Sequence, residues 1–286
     1  MASGSLRAGL DPSRYEIDEE DGLPREIVGA WAEDKHARLR KYVGISAAVR
    51  PKFVRKGNEA TYIDLFCGPG RARIEGTSKI IDGSSIVAWK ESLVRQAPFT
   101  RIFIADSETS LADATEARLK KLAAPVAKRA GPAALTVDEI STLINSKGLH
   151  FAFLDPFNLG TLHFSIIRKL AAFQQMDILV HISGQDLRRN LRRYIDQQQS
   201  ALDDFAPRWR EHVNTASDDF NVRAAILAFW KGLVREEDMR VTEGFEKVTG
   251  LNNQPLYWLA FAARHKLALE FWSKIKDISG ESELPF

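Results

Sequence analysis

The chain alternates between short apolar runs and longer segments in which apolar residues recur every three or four positions. Short runs rich in β-branched and aromatic residues predict buried strands, and the longer periodic segments predict helices. We expect strands at residues 61–65, 100–106, 133–137, 150–155 and 176–182. Helices are expected between them, at residues 86–94, 111–123, 140–146 and 164–173. This order predicts an α/β fold with a doubly wound parallel sheet, whose ligand site lies at the carboxyl ends of the strands.

The pattern changes on both sides of this core, which we place at residues 56–190. Residues 1–22 are rich in glycine, serine and acids, so we expect a poorly ordered leader, followed by an N-terminal helical extension at residues 23–55. Residues 191–286 are expected to add a helical insertion and late strands that complete the sheet. A small winged-helix-like C-terminal domain is the alternative for that region.

Composition narrows the classes of protein. The 286 residues are 44% hydrophobic and 27% charged, as in a soluble globular protein, and the net charge of +2 leaves any basic surface local. A single cysteine excludes an internal disulfide and a cysteine-cluster metal site, so no metal is predicted and a cytoplasmic location is expected. No run of 18 apolar residues predicts a membrane span, and the first 15 residues lack the apolar core of a secretion signal.

The most informative stretch is Tyr62-Ile-Asp-Leu-Phe-Cys-Gly-Pro-Gly70, a predicted strand that runs into a glycine turn. A glycine turn lets a ligand approach the backbone closely. It is not the dinucleotide fingerprint, because Arg73 stands where the third glycine would be. The pattern D-x-F-x-G-x-G instead resembles motif I of class I S-adenosylmethionine (SAM) methyltransferases. Such a resemblance implies SAM as the cofactor.

Each part of SAM has a candidate partner. Gly68, Pro69 and Gly70, together with Phe66, would pass under the methionine moiety. Asp64 would either orient the turn or reach the ammonium group through water.

Two more acids follow predicted strands. Asp106 is the expected ribose ligand, because a carboxylate can accept hydrogen bonds from both hydroxyls. Asp138 is either an adenine-side contact or the N-cap of the helix that follows it.

The candidate catalytic group is Asp155-Pro156-Phe157, at the end of the fourth predicted strand. It resembles the Asp/Asn-Pro-Pro-Tyr/Phe motif of amino methyltransferases, in which the first residue accepts protons from an exocyclic amine and the aromatic ring stacks on the base. The second proline is missing here, which leaves the substrate pose open. Phe157 is either that stacking platform or a core residue.

Two other methyl-transfer chemistries fit less well. Cytosine C5 methylation needs a cysteine after the fourth strand, whereas Cys67 lies in the glycine turn. Ribose 2′-O methylation typically uses a lysine after the fifth strand, and His181 and Ser183 stand there. His181 is interpreted as either a general base or a core side chain.

A basic surface is predicted where four arginines fall within six positions, at Arg188, Arg189, Arg192 and Arg193. On a helix they would crowd one side and could bind the phosphates of a nucleic acid. Arg71 and Arg73, beside the glycine turn, would face the same rim. The alternative is a solvated face on which the arginines pair with nearby acids.

Taken together, five motifs resemble the three-Cys-motif partner protein family: Lys35-His36 with Leu39 and Tyr42, the stretch at residues 62–77, Ile81-Asp-Gly-Ser-Ser85, Phe153-Leu-Asp-Pro-Phe157 and Asp186-Leu-Arg-Arg-Asn190. The resemblance implies a class I methyltransferase-like fold and a radical-SAM-like partner that carries the three cysteines. Our leading hypothesis is a SAM-dependent N-methyltransferase acting on nucleic acid or a nucleobase-like amine. The alternatives are a non-catalytic partner subunit and a small-molecule or protein methyltransferase.

Overall fold

The computed structural model of the chain describes residues 10–242, 246–249 and 255–280. It divides into two units, one of Met1–Pro132 with Gly148–His150 and the other of Ala133–Lys147 with Phe151–Phe286. Among the described residues, no helix combines the length and the apolar character that crossing a membrane requires.

The first unit contains seven strands and four α-helices within its described residues. The strands are β1 (Tyr15–Ile17), β2 (Pro24–Val28), β3 (Ala60–Asp64), β4 (Arg71–Ile74), β5 (Ile80–Asp82), β6 (Arg101–Asp106) and β7 (Val126–Ala130). The helices are α1 (Trp31–Ile45), α2 (Arg50–Val54), α3 (Ser84–Val94) and α4 (Thr109–Lys121).

Strands β3, β6 and β7 form the parallel sheet of this unit. Ile63 pairs with Phe103, and Phe103 pairs in turn with Ala127. All five residues of β3 are buried, as are Ile102–Ala105 of β6, because helices cover the strands. Apart from the terminal residues and Thr61, both strands consist of apolar and aromatic residues, and this pattern made them predictable from the sequence. The predicted α/β fold with a parallel sheet is confirmed.

The N-terminal region differs from its prediction. Residues 15–28 form an antiparallel hairpin of β1 and β2, and α1 begins only at Trp31. Strand β2 also runs parallel to β4, which pairs with β5, so these four strands make a second sheet. The expectation of a poorly ordered leader is wrong for this hairpin, and its part at residues 1–9 lies outside the described residues. We call residues 15–28 the N-terminal hairpin.

The second unit contains seven α-helices and five strands in its described part, with β8 starting in the first unit. The helices are α5 (Ala133–Leu143), α6 (Phe164–Ala171), α7 (Gly184–Asp196), α8 (Ala201–Phe205), α9 (Trp209–His212), α10 (Asp219–Glu236) and α11 (Lys266–Gly280). The strands are β8 (Leu149–Leu154), β9 (Met176–Ser183), β10 (Arg240–Val241), β11 (Glu246–Thr249) and β12 (Pro255–Ala263).

The late strands of this unit form a sheet with β9. Strand β12 lies antiparallel to β9, with Leu259 opposite His181, and β10 and β11 pair with β12. The helices between β9 and β12 bury their own aromatic core, in which Phe205 stacks on Trp230 at 5.6 Å between ring centroids.

One strand was predicted in the wrong place. Residues 133–137 belong to α5, because Ala133, Val137 and Ile140 are buried at helical spacing. The strand of this region is β7, at residues 126–130. It was not predicted because its residues are only half-buried or exposed and include Lys128 and Arg129, so it lacks an apolar pattern.

Candidate functional site

Asp64 ends β3 and fixes the start of the glycine turn in the first unit. Its buried carboxylate accepts hydrogen bonds from the hydroxyls of Ser84 at 2.6 Å and Ser85 at 2.8 Å, on the first turn of α3. The Tyr62 hydroxyl and the Phe66 N–H also donate to it, each at 3.3 Å. These hydrogen bonds connect the start of the turn to α3, an arrangement that suits the turn-orienting role expected for Asp64.

The glycine turn is held from two further elements. The hydroxyl of Thr115 on α4 donates to the Gly68 carbonyl at 2.7 Å, and the Gly83 N–H donates to the Gly70 carbonyl at 2.8 Å. Gly68 and Gly70 have φ angles of +54° and +79°, a region that favours glycine. The turn is therefore held by contacts from α4 and from the residue before α3.

Gly83 is a residue whose role the sequence did not reveal. A Cβ atom there would lie 2.8 Å from the Gly70 Cα, so the backbones of the two glycines pack directly on each other. This contact explains why glycine stands before α3. Gly83 is itself the N-cap of α3, and Asp82 beside it pairs with Lys90 at 2.7 Å.

Asp106 ends β6 and faces the same turn. Its Oδ2 accepts from the Gly68 N–H at 3.0 Å, and its Oδ1 accepts from the Glu108 N–H at 3.0 Å. Burial raises the pKa of Asp106, and these two N–H groups oppose the shift. Each carboxylate oxygen has two lone pairs, so Asp106 keeps the capacity to accept from a ligand hydroxyl.

Cys67 lies inside the turn and is buried. Burial, with smaller contributions from Asp64 and Asp106, raises the pKa of its thiol well above the ordinary value. Since the thiolate is the reactive form, Cys67 is unsuited to nucleophilic catalysis. The position and the protonation of this cysteine both argue against a C5-methylation mechanism.

Arg118 on α4 is a second residue that sequence reasoning missed. Its side chain is only 7% exposed and donates to both carboxylate oxygens of Asp21 at 2.8 Å. It also donates to the carbonyl of Pro24 at 2.8 Å and to that of Pro69 at 2.6 Å. Arg118 therefore ties the N-terminal hairpin to the glycine turn, and we call the Arg118–Asp21 pair the hairpin clamp.

Asp155 directly follows β8 in the second unit and lies beside His181 of β9. Its Oδ1 is 3.2 Å from Nδ1 of His181, and both side chains are largely buried. The ring of Tyr257 packs against the imidazole at 4.5 Å between centroids. The two residues that the sequence offered as separate catalytic candidates thus form one pair, which we call the Asp155–His181 pair.

The loop after Asp155 is anchored by α7. Oδ2 of Asp186 accepts the Leu159 N–H at 2.9 Å, while the side chains of Asn190 and Tyr194 donate to Asp186. Pro156 is buried, but Phe157 is 68% exposed, so Phe157 is not a core residue. Its ring is therefore exposed on an anchored loop.

Asp138 does not lie where either of its predicted roles requires. It stands in the middle of α5 rather than after a strand or at a helix start, and it pairs with Lys169 at 3.0 Å. The error follows from the misplaced third strand, because the residue was assigned to the end of that strand.

The predicted basic residues separate into two groups. Arg71 and Arg73 are paired with acids of the N-terminal segment: Arg73 donates to Glu16 at 2.7 and 2.8 Å, and Arg71 binds Glu20. These pairs hold β4 to the N-terminal hairpin. The two arginines are therefore structural rather than the rim expected from the sequence.

The four arginines of α7 are all exposed, as predicted. Arg192 binds Asp219 at 2.5 Å, and the guanidinium of Arg193 lies over the Tyr194 ring at 5.4 Å. Within the described part of the chain, Arg188 and Arg189 make no hydrogen bond or ion pair. These two remain the candidates for phosphate contacts.

No protein-family model matches the sequence, and no curated protein matches it. Among solved structures, the chain is similar to protein LPL1258 of Legionella pneumophila, with a TM-score of 0.49 and 11% identity over 85% of this chain and 91% of that one. It is similar to the cofactor-bound Rv0187 of MTB, with a TM-score of 0.47 and 13% identity over 85% and 84% of the two chains. It is also similar to an O-methyltransferase of Bacillus cereus in complex with SAH, with a TM-score of 0.46 and 12% identity over 86% and 84%.

Proposed function

We propose that the chain is a SAM-dependent methyltransferase whose cofactor site is the glycine turn of the first unit. The observation that carries the proposal is the turn itself, since Asp64, Thr115 and Asp106 hold it in a fixed shape. The turn lies beside the carboxylate of Asp106, at the end of the neighbouring strand β6. Together they offer the hydrogen-bond donors and acceptors that the nucleoside and amino-acid parts of SAM need.

The Asp155–His181 pair supplies the acceptor chemistry in this proposal. In methyl transfer the nitrogen lone pair of an amine attacks the methyl carbon, the carbon–sulfur bond breaks, and its electrons remain on sulfur as a neutral thioether. The methylated nitrogen then loses a proton. Asp155 accepts a hydrogen bond from the amine and orients its lone pair, which is positioning catalysis. His181 holds the Asp155 carboxylate and can relay the proton.

The acceptor we propose is an exocyclic amine of a nucleobase in a nucleic acid. The support is the exposed ring of Phe157 and the exposed Arg188 and Arg189, which suit a base and phosphates respectively. The motifs shared with the three-Cys-motif partner family support a radical-SAM-like partner for the chain. That partner would present or further process the same substrate.

The test is a transfer assay with SAM labelled on its methyl group and pooled RNA and DNA as acceptors, without and with the candidate partner. Wild-type protein is expected to label nucleic acid, whereas Asp155→Ala should bind SAM normally and lose about 100-fold or more in rate. Lys169→Gln is the matched control, because its partner Asp138 lies outside both candidate sites. If SAM binds but no nucleic acid is labelled under either condition, the proposed acceptor is wrong, and the non-catalytic subunit and the small-molecule or protein methyltransferase are the alternatives.

A further inference from the structure

The N-terminal hairpin lies against the glycine turn, where the sequence predicted a poorly ordered leader followed by a helical extension. The hairpin clamp fixes their relation, because Arg118 binds Asp21 between β1 and β2 and also the carbonyl of Pro69. Burial raises the pKa of Asp21, the Arg118 hydrogen bonds lower it, and the net pKa shift is downward. The clamp is thus a buried ion pair that joins one side of the hairpin to the turn.

Glu26 of β2 is the hairpin residue that faces the turn. Its Oε1 accepts from Arg14 at 3.1 Å. A Cβ atom added to Gly68 would have Oε2 of Glu26 as its nearest neighbour, at 3.9 Å. The carboxylate and the bare face of Gly68 therefore border the same space.

The pKa of the Tyr15 hydroxyl, on β1, reflects the charged groups around this space. Burial, followed by the negative charge of Glu26 and, more weakly, of Asp106 and Glu108, raises the pKa of this hydroxyl, while the positive charge of Arg14 opposes the shift. The hairpin thus approaches the end of β6 as well as the turn. Carboxylates outnumber cations there, and a ligand with net positive charge is favoured.

SAM has that charge, since its sulfonium and ammonium groups exceed its single carboxylate by one positive charge. Asp64, which the sequence suggested for the ammonium, already accepts from the hydroxyls of Ser84 and Ser85 and from two further donors. Resting on the function proposed above, we propose that Glu26 of the N-terminal hairpin binds the ammonium group of SAM, with the hairpin clamp holding Glu26 in place. The cofactor site is then built from two sheets, not from the parallel strands alone.

Three ligands separate this role from a general effect on the fold. SAM and S-adenosylhomocysteine carry the ammonium group, and 5′-methylthioadenosine lacks the whole amino-acid moiety. Glu26→Gln removes the charge of a hydrogen-bond acceptor for an ammonium group, so calorimetric titration should show about 10- to 100-fold weaker binding of the first two. Binding of methylthioadenosine should change by less than about twofold, because it has no group for Glu26 to bind.

Glu19→Gln is the matched control, since it removes the same charge from an exposed position of the same hairpin. It should leave all three affinities unchanged. Glu26→Asp keeps the charge but withdraws the carboxylate by one methylene, and it should also weaken SAM binding selectively.

Two results overturn the proposal alone: wild-type binding that Glu26→Gln leaves unchanged, or an equal loss for all three ligands. A folded wild-type protein that binds none of the three overturns the proposed function, and the role of Glu26 with it.

Discussion

Gly70→Ala tests the geometry of the glycine turn against a built-in control. Gly70 and Gly76 have nearly equal φ angles of +79° and +74°. An alanine at either position is strained by about 1–2 kcal/mol, because its Cβ crowds the following carbonyl in the left-handed region. The two positions differ only in what surrounds them.

At Gly70 the new Cβ would lie 2.7 Å from Oγ1 and 3.2 Å from Cα of Thr115, whereas nothing lies within 4 Å at Gly76. Rotation of the Thr115 side chain relieves the first contact and not the second, which is backbone. Relief therefore requires α4 to move, and α4 also carries Arg118, whose hydrogen bond holds Pro69. Such overpacking costs about 1–3 kcal/mol. The total is about 2–5 kcal/mol for Gly70→Ala and about 1–2 kcal/mol for Gly76→Ala.

Urea unfolding of the wild type and both variants measures the two free energies of unfolding. Gly70→Ala should be the more destabilised variant by at least about 1 kcal/mol and should also bind SAM more weakly. Equal losses in the two variants would refute the close packing of the turn on α4.

Three further predictions concern the charges. Asp64→Asn should lower the free energy of unfolding by about 1.5–3 kcal/mol, because it removes the charged acceptor of several donors; a loss below about 0.5 kcal/mol in urea unfolding would contradict its role. The Arg73 hydrogen bonds, opposed by burial and aided by Arg25, lower the pKa of Glu16 from 4.5 to about 2. A pKa below the unfolded value stabilises the protein above the unfolded pKa, so this stabilisation should fade as the pH falls from 4.5 towards 2. In an NMR titration of the Glu16 carboxyl, Arg73→Ala should move the midpoint back towards 4.5, and an unmoved midpoint would count against the pairing. The double substitution Arg188→Ala with Arg189→Ala should reduce the slope of log K against log salt concentration for nucleic-acid binding by about one per lost phosphate contact, whereas Arg73→Ala should leave the slope unchanged. A slope that changes only in Arg73→Ala would mean that Arg73, and not the α7 arginines, contacts the phosphates.

The sequence predicted the centre of the first unit because local pattern determines it. Strand β3 is β-rich and mostly apolar, the glycines after it favour a turn, and Asp106 ends the next apolar run. These features need no knowledge of distant partners.

The parts of the first unit that could not be predicted depend on contacts between residues far apart in the sequence. Strand β1 has three half-buried residues, and its pairing relies on ion pairs such as Glu16 with Arg73, 57 positions away. The hairpin clamp joins Asp21 to Arg118 across 97 positions. In a one-dimensional pattern these residues look like a solvated charged segment, so the sequence suggested a disordered leader and a free basic rim.

The prediction for the α5 region was wrong for a different reason. A short apolar run such as residues 133–137 is compatible with a strand or a helix, and burial at Ala133, Val137 and Ile140 chose the helix. The roles predicted for Asp138 depended on that strand, and they were wrong because the residue lies within α5. The Asp155–His181 pair was half predicted: both residues were candidates, and only the adjacency of β8 and β9 brought them together.

Calorimetric titration of the purified chain with SAM and S-adenosylhomocysteine, in the wild type and in Asp106→Ala, tests the central claim most directly. We predict saturable binding of both ligands to the wild type. Asp106→Ala should weaken binding about tenfold or more, because a charged hydrogen-bond acceptor for the ribose is lost. Absence of binding to a wild-type chain whose circular dichroism shows it folded would contradict the assignment of the glycine turn as a SAM site.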